Sequence, residues 1–155
     1  MEEGKAYLSK EKIAELNEEL KRLQTVRRKE IADQLEYSKS MGDLSENAEY
    51  HEAREDQAKN ESRILQIEEI LKNAVVLKHH SGENVDVGST VTILKKGEET
   101  KHTYDIVGPE EADMGSGKLS YESPLGAALI NKNKGDEFTF DSPKGKVQYK
   151  IVDVK

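Results

Sequence analysis

Residues 53–74, AREDQAKNESRILQIEEILKNA, decide the fold of the first half of this chain. Within this stretch seven positions recur at alternating spacings of four and three residues: Ala53, Gln57, Asn60, Ile64, Ile67, Leu71 and Ala74. Such spacing places all seven along one face of a helix, as in the seam of a coiled coil. The sequence therefore predicts a long helix that packs against a second helix along this face.

The stretch upstream of Gly42 supplies the partner helix. Its apolar residues recur at helical spacing and continue after a shift in phase: Ile13, Leu16, Leu20 and Leu23, then Ile31 and Leu35. Ser9 suits an N-cap, and Gly42 suits a left-handed residue just past a helix C-terminus. We therefore expect residues 1–78 to form a long antiparallel coiled-coil hairpin. Its seam is rich in Leu and Ile at the open end and polar or small near the turn.

The second half of the chain, from Val75 onward, loses the helical period and gains Gly, Pro, Val, Thr and Tyr. Strands are predicted over 89–94, 103–107, 137–140 and 147–152, with a hairpin loop at 142–146 and a short helix at 124–130. A sheet packed on one helix is an α+β module. We expect residues 79–88 to be a linker and residues 89–155 to be the C-terminal domain.

Composition excludes several classes of protein. The net charge of −7 makes the chain a poor binder of free duplex DNA, because phosphate neutralisation needs a surplus of Lys and Arg. The chain has no cysteine, so it has no disulfide and no thiolate metal site. Neither a secretory signal nor an apolar run long enough to span a bilayer is present, so we expect a soluble cytoplasmic protein.

The carboxylates of Asp43 and Glu46, at the turn of the hairpin, allow two interpretations. In the structural one, Asp43 is the N-cap of the second helix and Glu46 reaches back to its amide as a capping box. In the functional one, the two carboxylates are hard oxygen ligands suited to Mg²⁺. They would complete a two-metal site for phosphodiester chemistry whose other ligands come from a partner. Spacing alone leaves both interpretations open.

The turn sequence GDLSENAEY at 42–50, which continues into HEARE at 51–55, resembles the tip signature of the Gre family of bacterial transcript cleavage factors. The stretch 23–31 is similar to the first helix of that family. Pieces of the C-terminal half match as well, at 106–108, 111–113, 123–126, 128–130, 135–136 and 143–145. The resemblance covers nearly the whole chain, in order, and the modest basic cluster Arg27-Arg28-Lys29 favours the GreA branch over the GreB branch.

This resemblance implies an FKBP-like C-terminal domain that docks on the rim of the secondary channel of RNA polymerase, while the hairpin enters the channel. Asp43 and Glu46 would then help to hold a second Mg²⁺ that is shared with the polymerase active centre. The polymerase would hydrolyse backtracked nascent RNA there, which releases the arrested complex. The chain would act as a monomer with no metal of its own, no membrane and no enzymatic activity of its own. The resemblance also implies contacts with RNA or polymerase at the tip by Lys39, Asn47, Tyr50 and Arg54. It implies docking on polymerase by Ser123, Pro124 and Leu125.

Four of these residues also have a simpler interpretation that needs no partner. Arg54 pairs with a Glu on the helix surface, Tyr50 packs across the hairpin, Asn47 orders the turn, and Pro124 opens a helix. Lys39 stands where relatives often have Arg, which keeps the charge but loses the planar fork.

Other function classes also stay open. They are a Gre-like inhibitor of polymerase, a chaperone-like coiled-coil module, and a prolyl isomerase. The isomerase is disfavoured because the chain has no Trp and only two Phe to line its pocket.

Overall fold

The computed structural model describes residues 3–43 and 45–155, so Leu44 of the turn sequence lies outside the described residues. The chain forms two compact units. One comprises residues 11–74, and the other combines the residues up to 10 with residues 75–155. The first unit is helical and the second is built on a β-sheet, which confirms the α+β fold class.

The helical unit is an antiparallel hairpin. Its first arm consists of α1 (Lys10–Arg22), a π-helical segment (Leu23–Arg27) and α2 (Arg28–Lys39). Its second arm is α3 (Ala48–Lys72), which packs against α2. Gly42 lies between the arms with a φ of 125°, a conformation that only glycine adopts without strain. The predicted hairpin with a turn at Gly42 is therefore confirmed.

The seam between the arms follows a heptad spacing with one irregularity. On α3 the buried residues include Ala53, Asn60 and Ile67, each seven positions from the next. On the first arm the buried residues are Leu16, Leu23, Ile31 and Ser38. The step from Leu23 to Ile31 is eight positions, and it contains the π segment. A π turn closes on the fifth residue rather than the fourth, so it absorbs one extra residue. This is the physical basis of the phase shift visible in the sequence.

The second unit contains a five-stranded sheet in the order β5-β4-β3-β7-β6. The strands are β3 (Thr90–Lys95), β4 (Lys101–Val107), β5 (Lys118–Ser120), β6 (Glu137–Ser142) and β7 (Gly145–Val154). All pairs are antiparallel except β4 with β5. A short helix, α4 (Pro124–Leu129), packs on β6. The apolar core includes Val91, Ile93, Ile106, Phe138 and Ile151. The four predicted strands, the short helix and the hairpin between β6 and β7 are confirmed.

Two segments lie differently from the predicted domain division. Residues 6–8 form β1 (Ala6–Leu8), which pairs with β2 (Ala74–Val76) and belongs with the C-terminal residues. Both Ala6 and Leu8 are buried, which explains why so short a strand is held. Residues 79–88 do not form an exposed linker, because Val85 is fully buried in the core of the sheet unit. Over the described ranges, no helix is long and apolar enough to cross a membrane.

Candidate functional site at the hairpin tip

The turn between α2 and α3 is closed by one side chain, Asn47. Its amide nitrogen donates to the backbone carbonyl of Ser38 at 2.6 Å, near the end of α2. Its amide oxygen accepts from the backbone amide of Tyr50 at 3.1 Å and so caps the start of α3. Ser38 is buried, and its hydroxyl donates back to the carbonyl of Gln34 at 2.6 Å. Asn47 therefore joins both arms, which supports the interpretation that it orders the turn.

The structure contradicts the interpretation of Asp43 and Glu46 as a capping box. The helix begins at Ala48, two positions beyond Glu46, and its N-cap is Asn47. Asn and Asp are comparable as N-caps. Only the Asn side chain, however, has an amide nitrogen that can also donate to the Ser38 carbonyl, so position 47 takes the cap.

Asp43 is instead an exposed carboxylate within the turn itself. Its Oδ1 accepts from the backbone amide of Ser45 at 3.0 Å and from the Ser45 hydroxyl at 2.9 Å. These bonds, the amide first, lower the pKa of Asp43 from its ordinary value because they favour the charged form. Asp43 is therefore ionised at neutral pH and presents its remaining lone pairs to solvent.

Glu46 is also exposed. Within the described residues, no hydrogen bond or ion pair involves its carboxylate, and no cluster of three His, Asp or Glu side chains is arranged to hold a metal ion. The tip thus displays two carboxylates that do not support the helix start. Because Asn47 caps the helix, both carboxylates remain able to act as oxygen ligands, as the functional interpretation requires.

Arg54 differs from most arginines of the hairpin. Its guanidinium donates to the neutral amide of Gln57 at 3.3 Å, and it lies within 4.0 Å of no carboxylate in the described part of the chain. The predicted surface pair with a Glu is therefore not formed. Lys39, the last residue of α2, is likewise exposed. Both cations remain available to a phosphate or to a partner's acid.

The basic cluster is engaged across the hairpin. Arg27 lies 3.4 Å from Asp56, and Arg28 makes a two-pronged contact with Glu61, with N···O distances of 2.9 and 3.1 Å. Exposed pairs of this kind contribute little to stability, because water and salt screen the attraction. The side chains of Arg27 and Arg28 are directed to α3, so these two arginines connect the arms, while Lys29 is exposed.

The aromatic residues of the tip include one that sequence reasoning missed. Tyr50 is half-buried, with its ring edge-on to His51 at a centroid distance of 5.7 Å. Tyr37 is 64% exposed and lines a polar hollow of about 270 Å³ together with Glu49 and Glu52. Its position in the sequence could have indicated its exposure. Tyr37 does not fall on the buried seam positions of α2, which are Ile31 and Ser38.

Residues 123–125 lie in the sheet unit, at the start of α4. The Ser123 hydroxyl accepts from the amide of Gly126 at 3.1 Å and donates to the carbonyl of Ser120 at 2.7 Å. Pro124 follows in the first turn, where its missing amide costs nothing. The helix-entry interpretation is confirmed, while docking on polymerase stays a prediction. Pro124 is exposed and Leu125 is partly exposed.

The two bonds of Asn47 lead to a prediction for the turn. Asn47→Ala removes both, and we expect the hairpin to lose about 1–2 kcal/mol of stability. Asn47→Ser keeps an N-cap oxygen but lacks the amide donor, so it should lose about half as much. Urea unfolding followed by helicity gives both values, and amide exchange at residues 48–52 should accelerate. An unchanged midpoint for Asn47→Ala would show that the turn is held by other contacts.

Comparison with known proteins identifies relatives along the whole chain. A family model described as "Transcription elongation factor, N-terminal" matches residues 6–76, and "Transcription elongation factor, GreA/GreB, C-term" matches residues 79–155. The chain is 40% identical over 157 residues to transcription elongation factor GreA of Roseiflexus sp. (strain RS-1), covering 100% of both chains. It is 44% identical over 156 residues to GreA of Clostridium acetobutylicum, covering 99% of each.

Solved structures give a more distant likeness. Gfh1, the GreA factor homolog 1 of Thermus thermophilus, is 29% identical and covers 97% of this chain and 99% of its own, with a TM-score of 0.44. GreA/GreB from Nitrosomonas europaea is 25% identical, with a TM-score of 0.43 and coverage of 67% of this chain and 92% of its own. The two family models and the full-length identities show that the chain belongs to the GreA/GreB family of transcription elongation factors and is similar to GreA proteins from end to end.

Proposed function

We propose that this chain binds bacterial RNA polymerase through its secondary channel in the cytoplasm and stimulates cleavage of backtracked nascent RNA. The single observation that carries the proposal is the state of the tip acids. Asp43 and Glu46 are exposed, Asp43 is ionised, and neither caps α3. Because neither acid caps the helix, both can supply carboxylate oxygens to a metal ion held in a partner.

The donor set fits a shared Mg²⁺ better than a resident one. Mg²⁺ is commonly held by one or two carboxylates, with waters and phosphate oxygens as its remaining ligands. The tip offers two carboxylates, and polymerase and RNA would supply the other oxygens. When bound, such an ion supplies an activated water and stabilises the charge on the leaving oxygen. The chain contributes Asp43 and Glu46 to this site and is not itself an enzyme.

Other residues of the chain would place these acids. Lys39 and Arg54 have no carboxylate partner in the described residues and can contact RNA phosphate or an acid of polymerase. Tyr50 presents part of a ring on which an extruded base can stack. Asn47 holds the turn that carries the acids. Ser123, Pro124 and Leu125 would dock on the channel rim, which leaves the chain able to act as a monomer.

The test is transcript cleavage in stalled complexes. Bacterial RNA polymerase is halted in a backtracked state on RNA labelled at its 5′ end, and the purified chain is added. We expect rapid shortening of the RNA and restart from the new 3′ end. Binding to polymerase without shortening would indicate an inhibitor of the same channel, and no binding would indicate an unrelated coiled-coil module. Either result overturns the proposal.

A further inference from the structure

Ser45 contacts one of the two tip acids through two hydrogen bonds. Its backbone amide donates to Oδ1 of Asp43 at 3.0 Å, and its hydroxyl donates to the same oxygen at 2.9 Å. Among the described residues, no other side chain or amide donates to the Asp43 carboxylate. Ser45 is therefore the residue that restrains this carboxylate.

The two hydrogen bonds leave one oxygen of the carboxylate available. A carboxylate has about four acceptor positions, shared by its two oxygens. Both bonds from Ser45 end on Oδ1, and no described hydrogen bond involves Oδ2 of Asp43. A free, exposed side chain changes between staggered rotamers within nanoseconds. The bonds from Ser45 favour one of these rotamers, in which Oδ2 remains free to bind a cation.

The start of α3 does not use the Ser45 hydroxyl. The helix begins at Ala48, and its N-cap is Asn47. Ser45 is exposed, so its side chain fills no space in the seam between the arms. Glu46, the second acid, has no hydrogen-bond donor of its own within the described residues. In this part of the chain the turn therefore restrains the carboxylate of Asp43 but not that of Glu46.

Binding of Mg²⁺ is sensitive to the orientation of its ligands. The ion requires nearly octahedral geometry, with oxygen ligands at about 2.0–2.1 Å. Groups that donate hydrogen bonds to a ligand fix its orientation, and their loss typically lowers metal affinity or activity by about 10- to 100-fold. A carboxylate that already has one orientation needs less rearrangement when it meets the ion. The contact with Ser45 gives Asp43 this property before any partner is bound.

We propose that Ser45 is a positioning residue, which holds the Asp43 carboxylate in one orientation and keeps Oδ2 free for the Mg²⁺ shared with polymerase. This inference rests on the proposed function and deepens it, because it gives the two acids different parts. Asp43 is oriented within the free protein, whereas Glu46 takes its orientation in the polymerase site. Ser45 itself touches neither the ion nor the RNA.

The orientation of Asp43 can be measured in the full-length chain without polymerase or metal. Three-bond NMR couplings about χ1 of Asp43 distinguish one rotamer from an average over several. We expect one rotamer in wild type and in Ser45→Thr, which keeps the hydroxyl, and couplings shifted toward the average in Ser45→Ala. Ser40→Ala is the matched control, because it removes an exposed hydroxyl that donates to the carbonyl of Tyr37 instead. Averaged couplings in wild type, or wild-type couplings in Ser45→Ala, overturn the inference.

RNA cleavage in backtracked complexes shows whether this orientation matters for the reaction. We expect Ser45→Ala to lower the maximal rate by about 10-fold, the smaller end of the usual range, because the backbone amide still donates to Asp43. The half-saturating concentration for polymerase and the melting temperature should stay unchanged, and Ser45→Thr should recover the rate. A purely structural role predicts instead that rate and melting temperature fall together.

A double substitution tests whether Ser45 acts through Asp43. In an Asp43→Ala background the hydroxyl has no carboxylate to hold, so adding Ser45→Ala should not lower the rate further. A further loss in the double variant, or a wild-type maximal rate in Ser45→Ala alone, overturns this inference and leaves the proposed function standing. Failure of wild type and Ser40→Ala to stimulate cleavage overturns the proposed function instead.

Discussion

Under the proposed function, replacing Asp43 by Asn, or Glu46 by Gln, will lower polymerase-dependent RNA cleavage by about 100-fold and leave the hairpin folded. Each substitution removes a negative charge but preserves the size of the side chain. Loss of one group that stabilises developing charge typically lowers a rate by about 100- to 1,000-fold. Neutral amides are weak ligands for Mg²⁺ compared with carboxylates, so the shared site would lose much of its hold on the ion.

The structure explains why these variants should fold. In the described residues Asp43 contacts only the amide and hydroxyl of Ser45, through Oδ1. The amide oxygen of Asn can accept both bonds. Glu46 makes no described contact, and the helix start depends on Asn47 rather than on either acid. Helicity and melting temperature should therefore stay within experimental error of wild type.

The measurement is single-turnover cleavage of 5′-labelled RNA in backtracked complexes, at saturating factor, with circular dichroism on each variant. Asp33→Asn is the matched control, because it makes the same chemical change at an exposed position on α2. Its cleavage rate should equal that of wild type. Variants of the tip that cleave as fast as the control would show that the two acids have no part in the chemistry.

Gly126→Ala will unfold or severely destabilise the sheet unit. An ideal Cβ at Gly126 would lie 1.9 Å from the carbonyl oxygen of Ser120 and 2.9 Å from its carbon. Both are backbone atoms at the end of β5, which pairs with β4, so neither can rotate away. Gly126 itself is buried in α4. Forcing a methyl group into such a space costs up to about 3 kcal/mol, and this contact is more severe than a side-chain clash.

Urea unfolding measures the stability of the Gly126→Ala variant, and a binding assay measures its affinity for polymerase. We expect a loss of about 3 kcal/mol or more. Under the proposed function, binding to polymerase should fall as well, because the Ser123 hydroxyl donates to the same Ser120 carbonyl. Gly115→Ala is the matched control. Its Cβ would meet only a side-chain oxygen of the exposed Asp113, at 3.3 Å, and that side chain can shift. If Gly126→Ala lowers the free energy of unfolding by less than about 1 kcal/mol, β5 can shift to accommodate the methyl group despite its pairing with β4.

The sequence predicted the hairpin because a seam repeats, and repetition is visible without coordinates. It did not locate the start of α3, because Asp43 and Asn47 are equally good caps in isolation. The choice depends on the Ser38 carbonyl, nine residues before Asn47 and brought close only by the folded turn. The phase shift before Ile31 was visible, but its π-helical form was not, since the bond from the Asn60 side chain to the Leu23 carbonyl crosses between the arms.

In the sheet unit, too, local sequence patterns were predicted, whereas contacts between distant residues were not. Strands with alternating buried residues, such as β3, were predicted well. The strands β1, β2 and β5 span three residues each and carry too little pattern to detect. Val85 also gave no local signal, since its burial comes from pairing of its neighbour Asn84 with Asn133, almost fifty residues on.

The arginine pairs across the hairpin bear on how the protein behaves among the bulk RNA of a cell. Proteins that bind nucleic acid gain much of their affinity when free cations displace counterions from the phosphates. Arg27, Arg28 and Arg63 already hold carboxylates of their own chain, so they gain little by exchanging them for phosphate. The overall charge of −7 adds repulsion. We therefore expect weak binding to free transcripts, and under the proposed function polymerase brings the factor and the RNA together.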